Sequence, residues 1–592
     1  MTDSIFSLMA PAHLEELQRF LQPVSFPKGA CIMRAGDPVD GCYLIDAGEV
    51  RVELHAPADV HDHDLCHLGP GELLGEFGLM DGQAHLVNAF ACTDVQARRL
   101  SRDDFERLHR ELPAVSADLL LAFCRSLTRK IRRENTLMAE FLRDDSPDAE
   151  TNQMVAQALS AQRQFMAWPE DRVDALLKDV AATVLAQAAM LSEANVADTG
   201  IGNATDKVAK IQFACEAVLR SVLGRKAQGI LQETGTKHVV EIASPVGVVF
   251  GIIPVTNPVS TIVFKTLIAL KSRNALVYSC HRDAINVGNL VGESIRGALA
   301  RNNAPAGLVQ WVSNRTDRRK TAGFMKHPQV GLILATGGPS IVEAAYKSGK
   351  PAIGVGAGNA PVWICADADL ASAARAVVMS KSFDNGIICG SENNLVVDAS
   401  VRAAFIEHLE ANGATVLSPE ELRQFTPQAF DVAHCTVNRA FVGKTAAFIA
   451  EKTGLRRATP PRLIVVPVTL DDLNGPYGSE KLAPIISLFT VTGENQALSV
   501  CIRILEHQGA GHTAIIHTSD EEQARRFGET IPASRVLVNS PGSQGCIGLT
   551  TGLTPSLTLG CGTIGGNSTT DNVTFTHLLN IKRLAPNVSQ ST

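Results

Sequence analysis

Along the first ~110 residues, short runs of alternating apolar and polar positions, such as CYLIDAGEVRVEL, are punctuated by Gly36, Gly41, Gly48, Gly69, Gly71 and Gly75. Strands of that length between glycine turns predict a small antiparallel barrel or roll. The pattern then lengthens. Ala114–Met138 carries apolar residues at helical spacing and ends in a basic stretch. Arg143–Gln153 is polar and contains a proline, which predicts a linker. From about Met154 to about Gly229 the chain is alanine-rich and helical in pattern. Beyond that, VVEIASPVGVVFGIIPV predicts strands, PVSTIVFKTLIALKSR a helix and NALVYSC a strand. VGLILATGG then predicts a strand with a glycine turn, and PSIVEAAYKSG a helix. Strand, glycine turn and helix in repetition are the pattern of a parallel sheet flanked by helices.

Composition narrows the class. The 592 residues suggest about three or four domains. Hydrophobic residues are 45% and charged residues 19%, a globular balance. A net charge of −7 argues against a protein built around nucleic-acid phosphates, and the basic RSLTRKIRREN stretch reads as a solvated helix face. No apolar run reaches the ~18 residues that span a bilayer, so no membrane partner is expected. MTDSIFSLMAPAHLEELQ lacks a basic start and a long apolar core, so a cytoplasmic location is expected. The 13 cysteines form no CxxC pair and read as reduced thiols.

The segments PVGVVFGIIPVTNPVST, LILATGGPSIVEAAYKSGKPAIGVGAGNAPV, KSFDNGIICGSEN, EKLAPI, GAGHT and PSLTLGCGTIGGNS follow one another between Pro245 and Ser568. In this order they resemble the CoA-acylating branch of the aldehyde dehydrogenase superfamily, over about Met154 to Pro586. The resemblance implies Cys389 as nucleophile and Asn257 as oxyanion donor. It implies Thr336, Gly337 and Gly338 as the cofactor's phosphate loop, Glu480 on the nicotinamide ribose, and Pro254 and His281 beside the cofactor. NAD or NADP would be the cofactor and CoA a co-substrate. Hydrolytic members carry a water-activating glutamate in a segment like ELGGK. Here the segment is VGAGN, with Val355 in that place, and Val cannot take a proton from water. The thioester is therefore expected to leave by attack of the CoA thiol, with His512 implied either as helping that step or orienting the site, or else as an ordinary structural histidine. Cys280 ends a strand near the adenosine, and Cys561 in the C-terminal motif is expected to be structural.

Residues from about Ile5 to Asn135 resemble a cyclic nucleotide-binding domain, through FPKGACIMRAGDPVDGCYLIDAGEVRVEL and LGPGELLGEFGLMDGQ. Gly75 and Glu76 match the phosphate-binding cassette. His85 stands where the family has an arginine, and a neutral His lacks that fixed bidentate cation. Weak or absent cAMP binding is expected, with His85 or Arg98 as the candidate replacement cations. HDHDLCH (61–67) lacks a zinc spacing and reads as a solvated hairpin, so no metal is expected.

The expected fold is thus an α/β aldehyde dehydrogenase fold, a Rossmann-like cofactor domain plus an α/β catalytic domain, behind an N-terminal β-roll cyclic nucleotide-binding-like domain. The boundaries are 1–140 for the roll and its closing helix, 141–153 for a linker, 154–354 for the NAD(P)-binding domain and 355–560 for the catalytic domain. A C-terminal oligomerisation segment, 561–592, works with 236–246. KHVVEIA (237–243) and HLLNIKRLA (577–585) match the places where the family exchanges strands between protomers, so a homodimer or homotetramer is expected. The expected function is conversion of a small aldehyde, CoA and NAD(P)+ to acyl-CoA and NAD(P)H, regulated by the N-terminal domain through a cyclic nucleotide or related ligand. The alternatives are a hydrolytic enzyme giving a free acid, and a nucleotide-sensing or assembly protein with a vestigial dehydrogenase.

Overall fold

The computed structural model describes residues 9–54, 63–85, 87–141, 148–234, 239–314, 318–432 and 435–587. The chain divides into two compact units, Met1–Asp144 and Asp145–Thr592.

Among the described residues of the first unit every strand pairing is antiparallel, in two four-stranded sheets. Glycines at positive φ make the turns: a Cβ on Gly48 would lie 2.4 Å from the Asp94 carbonyl oxygen. Leu44, Leu73, Leu100, Leu108 and Phe123 fill one core, and Val50, Val52, Ala89 and Ala97 a second. The closing helix runs Pro113–Phe141. Within HDHDLCH, His61 and Asp62 lie outside the described residues, and His63–Leu68 is a strand paired with Val50–Leu54.

The second unit begins earlier than the composition suggests. Helix Ala149–Phe165 starts inside the expected linker, because Asp148 caps it by accepting the Thr151 N–H at 2.7 Å. The polar residues there are a helix start. Helices continue to Val222. A five-stranded parallel sheet follows, in the spatial order Val309–Trp311, Ala275–Cys280, Val248–Ile253, Val330–Thr336 and Ala352–Val355. Its central strands are buried at every position, as a parallel sheet covered on both faces requires. Helix Pro258–Lys271 is buried all round. Its Lys265 ammonium donates to the carbonyls of Ile252 and Leu334, tying together the ends of two neighbouring strands.

A seven-stranded sheet, parallel in all its pairings, spans Ala360–Ile364 to Ala533–Val538. A third sheet is antiparallel, in the order Leu579–Leu584, Val239–Pro245, Gly229–Thr234. Of the two segments expected to exchange strands between protomers, Lys237 and His238 lie outside the described residues. The remainder pair with each other within one chain, Val240 opposite Leu584 through Pro245 opposite Leu579. No single helix among the described residues is long and apolar enough to cross a membrane.

Candidate active site

Cys389 follows a strained turn. Helix Leu370–Ser382 ends, and Asp384, Asn385 and Gly386 all take left-handed backbone, with φ of 45°, 57° and 75°. Non-glycine residues in this region cost about 1–3 kcal/mol each. Side-chain bonds hold them there. Asn385 Nδ2 donates to the Gly443 carbonyl at 2.8 Å. Asp384 Oδ1 accepts the Asn203 N–H at 2.8 Å, and Oδ2 accepts from Lys207 at 3.1 Å and from Lys210. The carboxylate fills the place a side chain on Gly202 would need: a Cβ there would lie 2.0 Å from Oδ1. Burial raises the Asp384 pKa, but Lys210 and Lys207 outweigh it and hold the group below the usual carboxylate range.

The turn delivers Cys389 into a half-buried position just before strand Glu392–Asp398. Burial pushes its thiol up to about 12, with Glu480 and Cys561 adding to the rise and Arg535 opposing it. The Gly358 backbone lies against the Cys389 carbonyl, and the Gly358 N–H donates to Glu480 Oε1 at 3.1 Å. Gly358 therefore brings Glu480 and Cys389 to one place. Glu480 is positioned from its other side, its own N–H donating to Gln508 Oε1 at 2.7 Å. Burial raises its carboxyl to about 7.

Asn257 precedes helix Pro258–Lys271. Its Oδ1 accepts from the Lys210 ammonium at 2.5 Å, and its Nδ2 donates to Thr256 Oγ1 at 3.3 Å. Lys210 also holds Asp384, so Asn257 and the turn leading to Cys389 share one ammonium.

Three strand ends meet at the expected cofactor loop. Ile252 pairs with Ala335, and Thr336 pairs with Val355. Pro254 follows the first strand, and the His281 N–H donates to the Ile253 carbonyl. Val355 is buried. Gly338 sits before helix Pro339–Lys347, and no atom lies within 4 Å of where its Cβ would be. The Thr336 hydroxyl is buried without a hydrogen-bond partner among the described residues. An open glycine at a helix N-terminus, an unpartnered hydroxyl beside it and the Glu480 carboxylate fit a dinucleotide's pyrophosphate and ribose. His281 is spent partly on its own turn, Nδ1 accepting the Asp283 N–H at 3.3 Å.

His512 is the second residue of strand Gly511–His517 and is fully buried. Nδ1 meets Thr513 Oγ1 at 2.9 Å, and Nε2 has no hydrogen-bond partner among the described residues. Burial and then Arg535 hold its pKa well below the ordinary value, so the ring is neutral. With the proton on Nδ1 facing Thr513, Nε2 is a free acceptor.

In the first unit, Gly75 (φ 87°) caps the short helix Glu76–Asp81, and Glu76 is 1% exposed. His85 is nearly buried, and its backbone bonds both to Asp37 and to Gly36. Arg98, the other candidate cation, is paired with Asp46 through Nε and Nη2. Lys207, Lys210, Asp384 and Gly358 are absent from the sequence-level candidates. The spacing of Lys207 and Lys210, three apart on one helix, is the one local signal that marked a shared face.

The Aldehyde dehydrogenase family model matches residues 134–557, and a cyclic nucleotide-binding domain model matches residues 23–111. The chain belongs to the aldehyde dehydrogenase family and carries an N-terminal cyclic nucleotide-binding domain. Among curated relatives, the bifunctional aldehyde-alcohol dehydrogenase AdhE of Escherichia coli K12 is 38% identical over 74% of this chain and 49% of its own. The chain spans about half the length of the first curated relatives it matches. The acylating sulfoacetaldehyde dehydrogenase of Cupriavidus necator is 35% identical over 74% of this chain and 89% of its own. An acetylating aldehyde dehydrogenase structure from Geobacillus thermoglucosidasius superposes with a TM-score of 0.72 at 40% identity, covering 74% of this chain and 96% of that one.

Proposed function

We propose that the protein converts a small aldehyde, CoA and NAD(P)+ to acyl-CoA and NAD(P)H. The observation that carries this reading is Val355. The chain keeps a cysteine, an oxyanion donor and a dinucleotide cradle, and has a buried aliphatic residue where hydrolytic relatives hold their base.

The Cys389 thiol loses its proton to solvent and adds as the thiolate to the aldehyde carbonyl, giving a tetrahedral adduct bonded to Sγ. The free Asn257 amide hydrogen and the Cys389 backbone N–H stabilise its oxygen, and one such donor is worth about 3–4 kcal/mol. Thr336, Gly337, Gly338 and Glu480 would hold the dinucleotide, with Pro254 and His281 at its side. When bound there, the dinucleotide would supply a hydride acceptor, and loss of hydride from the Cys389 adduct would leave a thioester. His512 Nε2 then accepts the proton of the CoA thiol, whose sulfur displaces Cys389. The acyl group leaves as acyl-CoA and the enzyme thiolate is regenerated. Apolar Val355 keeps water from being activated at the thioester.

The N-terminal domain is a regulatory module in this reading, with Gly75 and Glu76 meeting a nucleotide's phosphate and ribose and His85 in the arginine's place. The chain works as a homodimer or a dimer of dimers through the outer strands of its antiparallel sheet, Gly229–Thr234 and Leu579–Leu584. Supplying a panel of short aldehydes with CoA and NAD or NADP tests the reaction. Acyl-CoA detected by mass spectrometry, in proportion to reduced cofactor, is the expected result. Free acid as the sole product overturns it.

A further inference from the structure

The oxyanion donor is only useful if its amide faces the right way. An Asn side chain can turn over and present its carbonyl oxygen instead, which would repel an alkoxide. Nothing in the Asn257 backbone decides between the two. The neighbours do. Lys210 carries three donors and no acceptor, so the Asn257 atom 2.5 Å from its ammonium is the carbonyl oxygen. The NH2 group then faces away. One of its hydrogens meets Thr256 Oγ1 at 3.3 Å, and the other has no acceptor among the described residues.

Lys210 is itself held. It is 5% exposed, its ammonium bonds Asp384, and it lies over the Phe383 ring at 5.7 Å from the centroid. Lys207 binds the same Asp384 oxygen and the Thr256 carbonyl at 3.1 Å each. Asp206 Oδ2 accepts the Asp384 N–H at 2.7 Å. These bonds join three separate segments: the helix Ala204–Gln212, the Thr256–Asn257 turn and the turn before Cys389. Burying two ammoniums and a carboxylate is costly unless they are fully paired, and simple packing could be supplied by apolar residues at less cost. An ionic cluster at this position has a use that apolar packing lacks: a donor-only group facing Asn257.

We infer that Lys210, held by Asp384, is a positioning residue that fixes the Asn257 amide with its N–H toward the substrate oxygen, setting the oxyanion hole in register with Cys389. The inference rests on the reading of Cys389 and Asn257 given above. It predicts that Lys210 acts through Asn257 and not independently.

A double-mutant cycle tests it. Lys210→Met should lower kcat with the aldehyde by about ten- to a hundredfold, below the loss of ~10²–10³ for a whole oxyanion donor, and leave the KM for NAD(P)+ near wild type. In an Asn257→Ala background the same change should lower kcat less than threefold further. Lys210→Arg, which keeps a donor-only cation, should retain more kcat than Lys210→Met and serves if the Met variant does not fold. A crystal structure of Lys210→Met should show the Asn257 amide turned or disordered while residues 384–389 keep their backbone. That readout holds whatever reaction the enzyme runs, so it separates failure of the inference from failure of the functional reading. Full additivity of the two substitutions, or an unmoved Asn257 amide in the variant crystal, would overturn the inference.

Discussion

A Cβ placed on Gly358 would sit 1.8 Å from the backbone carbonyl oxygen of Cys389. The two backbones are therefore in direct contact, and the contact sits in the VGAGN segment that replaces the hydrolytic glutamate motif. Overpacking a filled site costs typically 1–3 kcal/mol, and here the obstacle is backbone that cannot rotate away. Gly358→Ala should displace Cys389 and lower kcat at least tenfold, with a lower Tm. Wild-type kcat in a folded Gly358→Ala protein would show that the contact has no bearing on the nucleophile.

Cys389→Ala should abolish reduced-cofactor formation, because Cys546 and Cys561 are buried and their thiols are raised by burial. In the free wild-type enzyme, burial holds the Cys389 thiol up near 12. Only the thiolate is alkylated. The rate of iodoacetamide modification at Cys389 should therefore climb with pH from 7 to 10 without a plateau. A plateau near the ordinary thiol value of about 8.5 would contradict this environment.

Glu480 gives a second pH signature. Its carboxyl is raised to about 7 by burial, and only the ionised form is a pure acceptor for ribose hydroxyls. The KM for the dinucleotide should rise as pH falls through about 7 and stay flat above it. Glu480→Gln should raise KM about tenfold or more and remove that dependence. The same raised pKa means the folded protein holds this proton more tightly than the unfolded chain. Stability from this group is thus full below the unfolded value and declines as pH rises toward 7.

The first parallel sheet was legible in the sequence because its strands Val248–Ile253 and Val330–Thr336 are almost wholly apolar runs, the first closed by Pro254 and the second by Gly337 and Gly338. Cys389 and Asn257 were legible through motifs. The cluster that joins them was not. Lys210 and Asp384 stand 174 residues apart, and charged residues on an amphipathic helix read as solvated until the fold buries them. The linker was misplaced for a local reason: Asp148 and its polar neighbours are also what a helix N-cap looks like.

The nucleotide domain makes a separate prediction. The resemblance puts His85 where an arginine is expected, and Arg98 is paired with Asp46. A charge-assisted hydrogen bond is worth about 1.5–3 kcal/mol, and its loss costs roughly one to two decades of affinity. Calorimetry of the full chain with cAMP and cGMP should give micromolar binding or none. Sub-micromolar affinity would mean that another cation reaches the phosphate.

How the acyl group leaves Cys389 decides between an acylating and a hydrolytic enzyme. Mixing enzyme, aldehyde and NAD(P)+ without CoA, and following reduced cofactor by stopped flow, measures this directly. One equivalent should form per active site, then turnover should nearly stop, and adding CoA should restart it with acyl-CoA as product. A steady rate without CoA, equal to the rate with it and yielding free acid, would contradict the account.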